Sequence, residues 1–229
     1  VRPRAQTRRF EAPTAARAAV CSQALMPDDQ ELLEAWRRGD EDAGEALFER
    51  CYEGLARFFR SKAGDGAADL IQRTFLILLE TRSRMREGTS FHCYLYGIAR
   101  NVLYEHYRGK RRDGERFQPD QNSVEDLGPT PTTLMAQAQE TRLLLQALRR
   151  IPLESQMILE LYYWEQMTAK DVADVLEVPE GTARTRIRRA KQLLEAQLTA
   201  LADTPQLLQS TVSDLDSWAQ HLRAALKSR

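Results

Sequence analysis

Residues 168–198, TAKDVADVLEVPEGTARTRIRRAKQLLEAQL, spell two helices with a tight joint. Thr168 is placed to cap the first helix, and Asp171, three residues on, completes a capping-box pattern in which each residue bonds the other's backbone N–H. Val172, Ala173, Val175 and Leu176 supply the apolar side. The run breaks at Glu177-Val178-Pro179, because proline disfavours helix at the residue before it yet suits a first helical turn. The second helix then starts near Pro179. Ala183, Ile187, Ala190, Leu194 and Leu201 share one stripe at helical spacing. Gly181, Thr185, Arg188, Arg189 and Gln192 occupy the opposite face, with Arg184 on its flank. A short helix, a turn and a second helix with a basic, hydrogen-bonding outer face form a helix-turn-helix.

The chemistry follows from the residue types. A helix fits the DNA major groove, where arginine grips guanine edges and phosphates while Thr and Gln reach other groups. Arg184, Arg186, Arg188, Arg189 and Lys191 stand against Glu180 and Glu195, so this helix is locally basic. The alternative is a solvated basic face on an ordinary helical hairpin.

Charge is segregated along the chain. The 33 basic and 33 acidic residues cancel in total. Residues 28–49, however, hold nine acids and two arginines, and 100–116 hold six bases and three acids. Such segregation suits one surface for nucleic acid and others for a different partner. Three widely spaced cysteines, Cys21, Cys51 and Cys93, form no disulfide framework and suit a reducing compartment. No apolar run approaches the roughly 20 residues of a membrane span, and the Arg-rich start lacks a signal peptide's apolar core. The expectation is a cytoplasmic protein without membrane insertion.

Upstream of the opening stretch the chain divides as follows. Residues 1–27 read as a disordered basic arm carrying Arg2, Arg4, Arg8, Arg9 and Arg17, with Met26 a candidate true start. Residues 28–112 read as a helical domain. Leu32, Leu33 and Trp36 face inward before a stop at Gly39, and Ala43, Leu47, Cys51, Leu55 and Phe58 follow helical spacing. Next come the helix AADLIQRTFLILLET, a polar loop over 84–90, and the helix SFHCYLYGIARNVLYEHYRGKRR. Leu95, Ile98, Ala99 and Val102 face inward on that last helix; Gly97, Arg100, Asn101, Tyr104 and Arg108 face outward, with Phe91, Tyr94, Tyr96 and Tyr107 close by. Aromatic platforms beside basic side chains are how single strands are commonly held; the competing reading is a core of aromatics with a solvated basic end. Residues 113–140, rich in Pro, Asn, Asp and Thr, read as a flexible acidic linker. Residues 141–202 hold the helix-turn-helix and two supporting helices. In 203–229, Leu208, Val212, Leu215, Trp218, Leu222 and Leu226 trace the apolar stripe of one more helix, either packed on its neighbour or regulatory. The expected fold class is all-α: two small helical domains on a tether plus a C-terminal helix.

Two separate segments resemble one family, the bacterial RNA polymerase sigma factors of the extracytoplasmic-function (ECF) type. DLIQRTFLILLE with SFHCYLYGIARNVLYEHYRGKRR is similar to sigma region 2, and LQALRRIPLESQMILELYYWEQMTAKDVADVLEVPEGTARTRIRRAKQLL to region 4. The resemblance spans about residues 28–112 and 143–198. It implies a factor that binds core polymerase, through the β′ clamp helices and the β flap, and directs promoter recognition and opening. Asp69, Gln72 and Arg73 would meet the clamp. Arg84, Arg86, Phe91, Tyr94, Arg100, Asn101, Tyr104 and Arg108 would open and hold the −10 promoter element. Gly181, Thr182, Arg184, Thr185, Arg188, Arg189 and Gln192 would read the −35 element as duplex. An anti-sigma factor is a common partner in such a family.

The chain departs from the family pattern in places. Arg73 stands where Glu is usual, Tyr94 replaces Trp, Cys93 replaces Thr, and Gly97 stands where a larger residue is common. The competing function is a helix-turn-helix regulator that ignores polymerase, which leaves the aromatic helix of the front domain unexplained. An enzyme, such as a nuclease, lacks support. His92, His106 and His221 show no metal-ligand spacing with acids, and Cys51 with His92 and Cys93 falls short of the four close ligands of a structural zinc site. No cofactor, metal or catalytic residue is expected.

Overall fold

The computed structural model describes residues 28–85, 90–110, 117–127 and 139–202. Among them the chain is helical, and the one extended pairing is an isolated bridge between Ser123 and Pro152. A front module holds α1 (Asp29–Arg37), α2 (Glu41–Ala63), α3 (Ala67–Thr81) and α4 (Phe91–Lys110). One turn, α5 (Val124–Leu127), leads to a rear module of α6 (Gln139–Arg150), α7 (Leu153–Tyr163), α8 (Ala169–Leu176) and α9 (Glu180–Leu201).

Local chemistry sets the helix ends. Asp28 accepts from the Glu31 N–H at 2.7 Å while Glu31 returns a bond to the Asp28 N–H, a capping box that starts α1. Gly39, at φ 100°, ends it in a conformation costly for other residues. Asp40 caps α2 by accepting from the Ala43 N–H at 3.2 Å. Leu32, Leu33, Trp36, Ala43, Leu47, Cys51, Leu55 and Phe58 are all buried, as their spacing predicts. Gly44 lets α1 come close, since a Cβ there would lie 2.4 Å from Trp36 Nε1.

In the rear module, Ala183, Ile187, Ala190, Leu194 and Leu198 are the buried stripe of α9, which packs on α6, α7 and α8. The predicted stripe gains Leu198, while Leu201 is only half-buried. Helix α9 begins at Glu180, with Pro179 as its N-cap residue.

Two expectations change. Residues 117–127 of the predicted flexible linker are docked rather than free. Helix α7 starts after Pro152 with no side-chain cap, and linker carbonyls accept its first N–H groups: Leu153 donates to Asn122 O and Glu154 to Pro119 O, both at 2.8 Å. Those donors have no partner within their own helix, and the linker carbonyls take the place that water or a side-chain cap would otherwise fill. Phe117 meets the rings of Tyr104 and Tyr107 on α4 at 5.7 and 5.8 Å.

Second, the two modules are not held apart. Helix α4 packs on α3 and also on α8. Its buried set widens from the four predicted positions to include Phe91, Cys93, Tyr96, Leu103 and Tyr107, with Cys93 against Asp171 of α8 and Tyr96 and Tyr107 against α2. Across the joint, Lys62 of α2 pairs with Glu160 of α7, the lysine side chain having no exposed surface. Arg57 pairs with Glu165 at 3.1 Å, and Arg149 donates to the Ser61 carbonyl at 3.2 Å. The expected arm over 1–27, the loop tip over 86–89 and the extension over 203–229 lie outside the described residues.

Candidate nucleic-acid interface

Thr168 and Asp171 build the helix-turn-helix entry as predicted. Thr168 donates its N–H and hydroxyl to the Asp171 carboxylate at 2.8 and 2.7 Å and accepts the Asp171 N–H at 3.2 Å. Burial would raise the Asp171 pKa, but the Thr168 bonds outweigh it and the net shift is downward. The turn passes through Glu177, a left-handed residue at φ 56° whose N–H bonds the carbonyls of Ala173 and Asp174. This geometry turns the chain from α8 into α9, whose one side packs on the module while its opposite face is left exposed.

On α9, Gly181, Arg184, Thr185, Arg188, Arg189 and Gln192 are exposed and Thr182 is half-buried. Arg184 lies along Glu180, with bonds of 3.0 and 2.6 Å. Thr185 donates back to the Gly181 carbonyl at 3.0 Å. Arg186 leaves the basic face and pairs with Glu154 of α7 at 2.6 Å. Lys191 lies over the Tyr162 and Tyr163 rings, each at 4.9 Å. Arg188 and Arg189 make no polar contact with the described residues, so two guanidinium groups face solvent side by side on the face a groove would meet.

The front-module residues divide. Asn101, Arg108 and Arg84 are exposed. Phe91 is 2% exposed, at the start of α4 and inside the core; it is corrected from a stacking platform to a packing residue, because the turn that begins α4 points its first side chain inward. Tyr94 is half-buried and donates its hydroxyl to the Thr81 carbonyl at 3.2 Å. Arg100 and Tyr104, expected to face outward, are half-buried under the rear module. Arg100 donates to the Val175 carbonyl at 2.8 Å and pairs with Glu177 at 3.1 Å. A cation at a helix C-terminus meets carbonyls left without partners there. The Tyr104 hydroxyl is buried with no hydrogen-bond partner among the described residues, and burial raises its pKa. Arg86 lies outside the described residues.

On α3, Asp69, Gln72 and Arg73 share an exposed face, where Leu76 and Leu79 are 52% and 41% exposed. Arg73 pairs with Glu105 of α4, so the residue where the family usually has Glu is matched by an acid in its own chain. Sequence reasoning did not single out Leu76 or Leu79, which look like ordinary members of an apolar stripe. At the joint, Cys93 donates to Asp171 at 3.7 Å. Asp174 is also near, and the three donor atoms lie within 4.8 Å of one another. Burial pushes the thiol up to about 11, and Asp171 turns one carboxylate oxygen to Thr168 and the other to Cys93. No described helix is long and apolar enough to cross a membrane.

Comparison with known proteins decides what carries this arrangement. Residues 47–113 match the Sigma-70 region 2 family and 141–194 match Sigma-70, region 4. The chain belongs to the sigma-70 family. It is 25% identical over 182 residues to the ECF RNA polymerase sigma-E factor of Haemophilus influenzae, covering 76% of this chain and 96% of that one. It is 28% identical over 186 residues to the RNA polymerase sigma-H factor of Pseudomonas aeruginosa, covering 76% and 95%. Among solved structures, CnrH in complex with the cytosolic domain of CnrY superposes with a TM-score of 0.59 at 21% identity, covering 76% and 99%. The sigma factor RpoE of Bartonella quintana with the anti-sigma factor NepR gives 0.54 at 20%, covering 70% and 98%. These likenesses establish the sigma fold, with region 2 as the front module and region 4 as the rear.

Proposed function

We propose that this chain is an ECF sigma factor that binds core RNA polymerase and directs promoter recognition and opening. The observation that carries the reading is the open face of α9, where Arg188 and Arg189 are exposed beside Thr185 and Gln192 and make no ion pair with the described residues, in a chain that also carries a region 2 module. A lone regulator needs only the former.

The parts divide the work. Gly181, Thr182, Arg184, Thr185, Arg188, Arg189 and Gln192 serve the −35 duplex, where a helix lying in the major groove gives base and phosphate contacts. Arg84, Tyr94, Arg100, Asn101, Tyr104 and Arg108 serve the melted −10 strand, where rings stack bases and cations follow the backbone. Arg86 would join them from the loop. Asp69, Gln72 and Arg73, with the exposed Leu76 and Leu79, serve the polymerase clamp; exposed apolar side chains rimmed by polar groups are what an interface needs. The working ranges are 28–112 for region 2 and 141–202 for region 4. The two solved neighbours are each in complex with a partner protein, named an anti-sigma factor in the second, which supports an anti-sigma factor as a partner here. None of this requires a catalytic group or cofactor.

The test is transcription by purified core polymerase with the full chain on a genomic promoter library. The expected result is defined start sites that vanish without the chain. Binding to DNA with no affinity for core polymerase would overturn the reading in favour of a simple regulator.

A further inference from the structure

The contact that closes region 4 onto region 2 has its own chemistry. Glu165, just past α7, inserts an 11% exposed side chain between the modules, 3.1 Å from Arg57 Nη2 and 3.9 Å from His92 Nε2. Gly54 of α2 makes the space, since a Cβ there would lie 2.9 Å from Glu165 Oε2 and 2.8 Å from the Tyr96 hydroxyl. The other ring nitrogen of His92 faces Asp29 of α1 at 3.6 Å. The charged and titratable groups around His92 are thus Asp29 from α1, Arg50, Cys51 and Arg57 from α2, Tyr96 from its own helix, and Glu165 from region 4. An imidazole between two carboxylates is matched at both nitrogens only as the cation, because the neutral ring turns a lone pair toward one of them.

We propose that Glu165, His92 and Arg57 form an acid-held clasp that keeps region 4 over the strand-binding face of region 2, and that its release as pH rises frees Arg100 and Tyr104 for the melted strand. The gating half rests on the function proposed above. Closure uses the Arg100 guanidinium on Val175 and Glu177, leaving that side chain 12% exposed, so a phosphate and region 4 compete for one cation. It also leaves the Tyr104 hydroxyl without a hydrogen-bond partner among the described residues, a cost that opening removes. The α9 face stays exposed throughout, so the clasp governs strand holding and not duplex reading.

The sign follows from the partners. Glu165 is the chief cause that raises the His92 pKa above 6.5, and burial opposes it. Asp29 belongs to the same module as His92 and stays beside it when the modules part, whereas Glu165 leaves. Burial raises the Glu165 pKa, but His92, Arg57 and Tyr96 outweigh it and the net shift is downward, so its charge persists. A raised pKa in the closed form means that the added stability is complete below the open-form value and is lost as pH climbs through the closed-form value. Closure is therefore favoured at mildly acid pH and weakens above 6.5.

The experiment uses the full chain with dyes on Glu45→Cys and Glu195→Cys in a Cys21→Ser/Cys93→Ser background, because Cys93 lies at the joint and opening would expose its thiol, while Cys51 is buried. Energy transfer reads the closed-to-open ratio from mildly acid to mildly alkaline pH, with no DNA or polymerase present. A fall of about threefold or more is expected. His92→Gln and, independently, Gly54→Ala, whose new methyl displaces Glu165, are expected to flatten the profile at the open level. A constant ratio in the parent, or the parental slope retained in His92→Gln, overturns the clasp. In parallel, a fluorescent single strand carrying a −10 sequence is expected to bind more tightly as the ratio falls. Equal binding at both ends of the range, with a responding distance, overturns the gating. A strand that never binds overturns the strand-holding role of α4, and the distance alone then judges the clasp.

Discussion

Replacing Glu160 by alanine strands the ammonium of Lys62. In the native chain that group pairs with Glu160, donates to the Phe58 carbonyl at 2.7 Å and Ser61 Oγ at 3.1 Å, and lies 3.9 Å above the Phe58 ring. Burial already lowers its pKa. Removing one partner of a buried pair costs about 3–5 kcal/mol, because the other charge is left without compensation. Here the carbonyl, the hydroxyl and the ring remain, and a lysine with a lowered pKa can release its proton, so the loss falls near the low end, about 3 kcal/mol. The cost also has a ceiling. Lys62 and Glu160 belong to different modules, and parting them lets water reach the ammonium. The chain takes whichever route is cheaper, lower stability or separation. The double variant Lys62→Met/Glu160→Gln keeps the bonds that Gln156 and Ser61 give to position 160, at 2.8 and 3.2 Å, and removes both charges. It is expected within about 1–2 kcal/mol of the parent, since apolar or neutral replacement of a buried pair is often close to neutral. Urea unfolding at pH 7 and sedimentation velocity read the two routes together. Parental stability and parental sedimentation in Glu160→Ala would refute the reasoning, as would a double variant less stable than the single.

Other perturbations have simpler readouts. Gly44→Ala places a methyl 2.4 Å from Trp36 Nε1 and 2.5 Å from Cδ1, so urea unfolding should show a loss of about 1–3 kcal/mol from overpacking; an unchanged midpoint would mean α1 slides freely on α2. Thr168→Ala removes the hydroxyl shared with Asp171 and should cost about 0.5–2 kcal/mol in thermal unfolding. Arg188→Ala should weaken binding to a −35 duplex by about 1–3 kcal/mol with relaxed sequence preference if it reads a base, or reduce only the salt slope if it holds phosphate. Titration that finds neither change would remove it from the interface.

Helices α8 and α9 were legible in the sequence because each keeps its buried residues on one side, unlike α7, which is buried at every position from Gln156 to Leu161. One apolar face at helical spacing, a Thr–Asp box and a proline at the joint suffice to place α8 and α9 to within a residue or two. Helix α4 was less legible because it is covered twice. Its contact with α3 follows the period of its own residues; its contact with α8 depends on a partner more than 60 positions away, and local spacing carries no record of that. Arg100 and Tyr104 therefore read as outward. The linker misled for a related reason. Its Pro, Asn and Asp content marks irregular backbone correctly, but irregular is not free when the N–H groups of α7 need acceptors. Buried charge was the hardest to see, since nothing in the local pattern separates Lys62 from the exposed Arg60 two residues before it.

Glu177 ties together two properties that are usually inherited separately. It sits in the turn that orients the groove-facing helix, holds a backbone conformation that few side chains adopt readily, and offers its carboxylate to Arg100 of the other module. A glycine there would relax the turn and at the same moment discard the anion. Positions 100 and 177 should accordingly drift as a pair among descendants of this chain: a change made in the joint that aims one recognition element rewrites how firmly the other is covered.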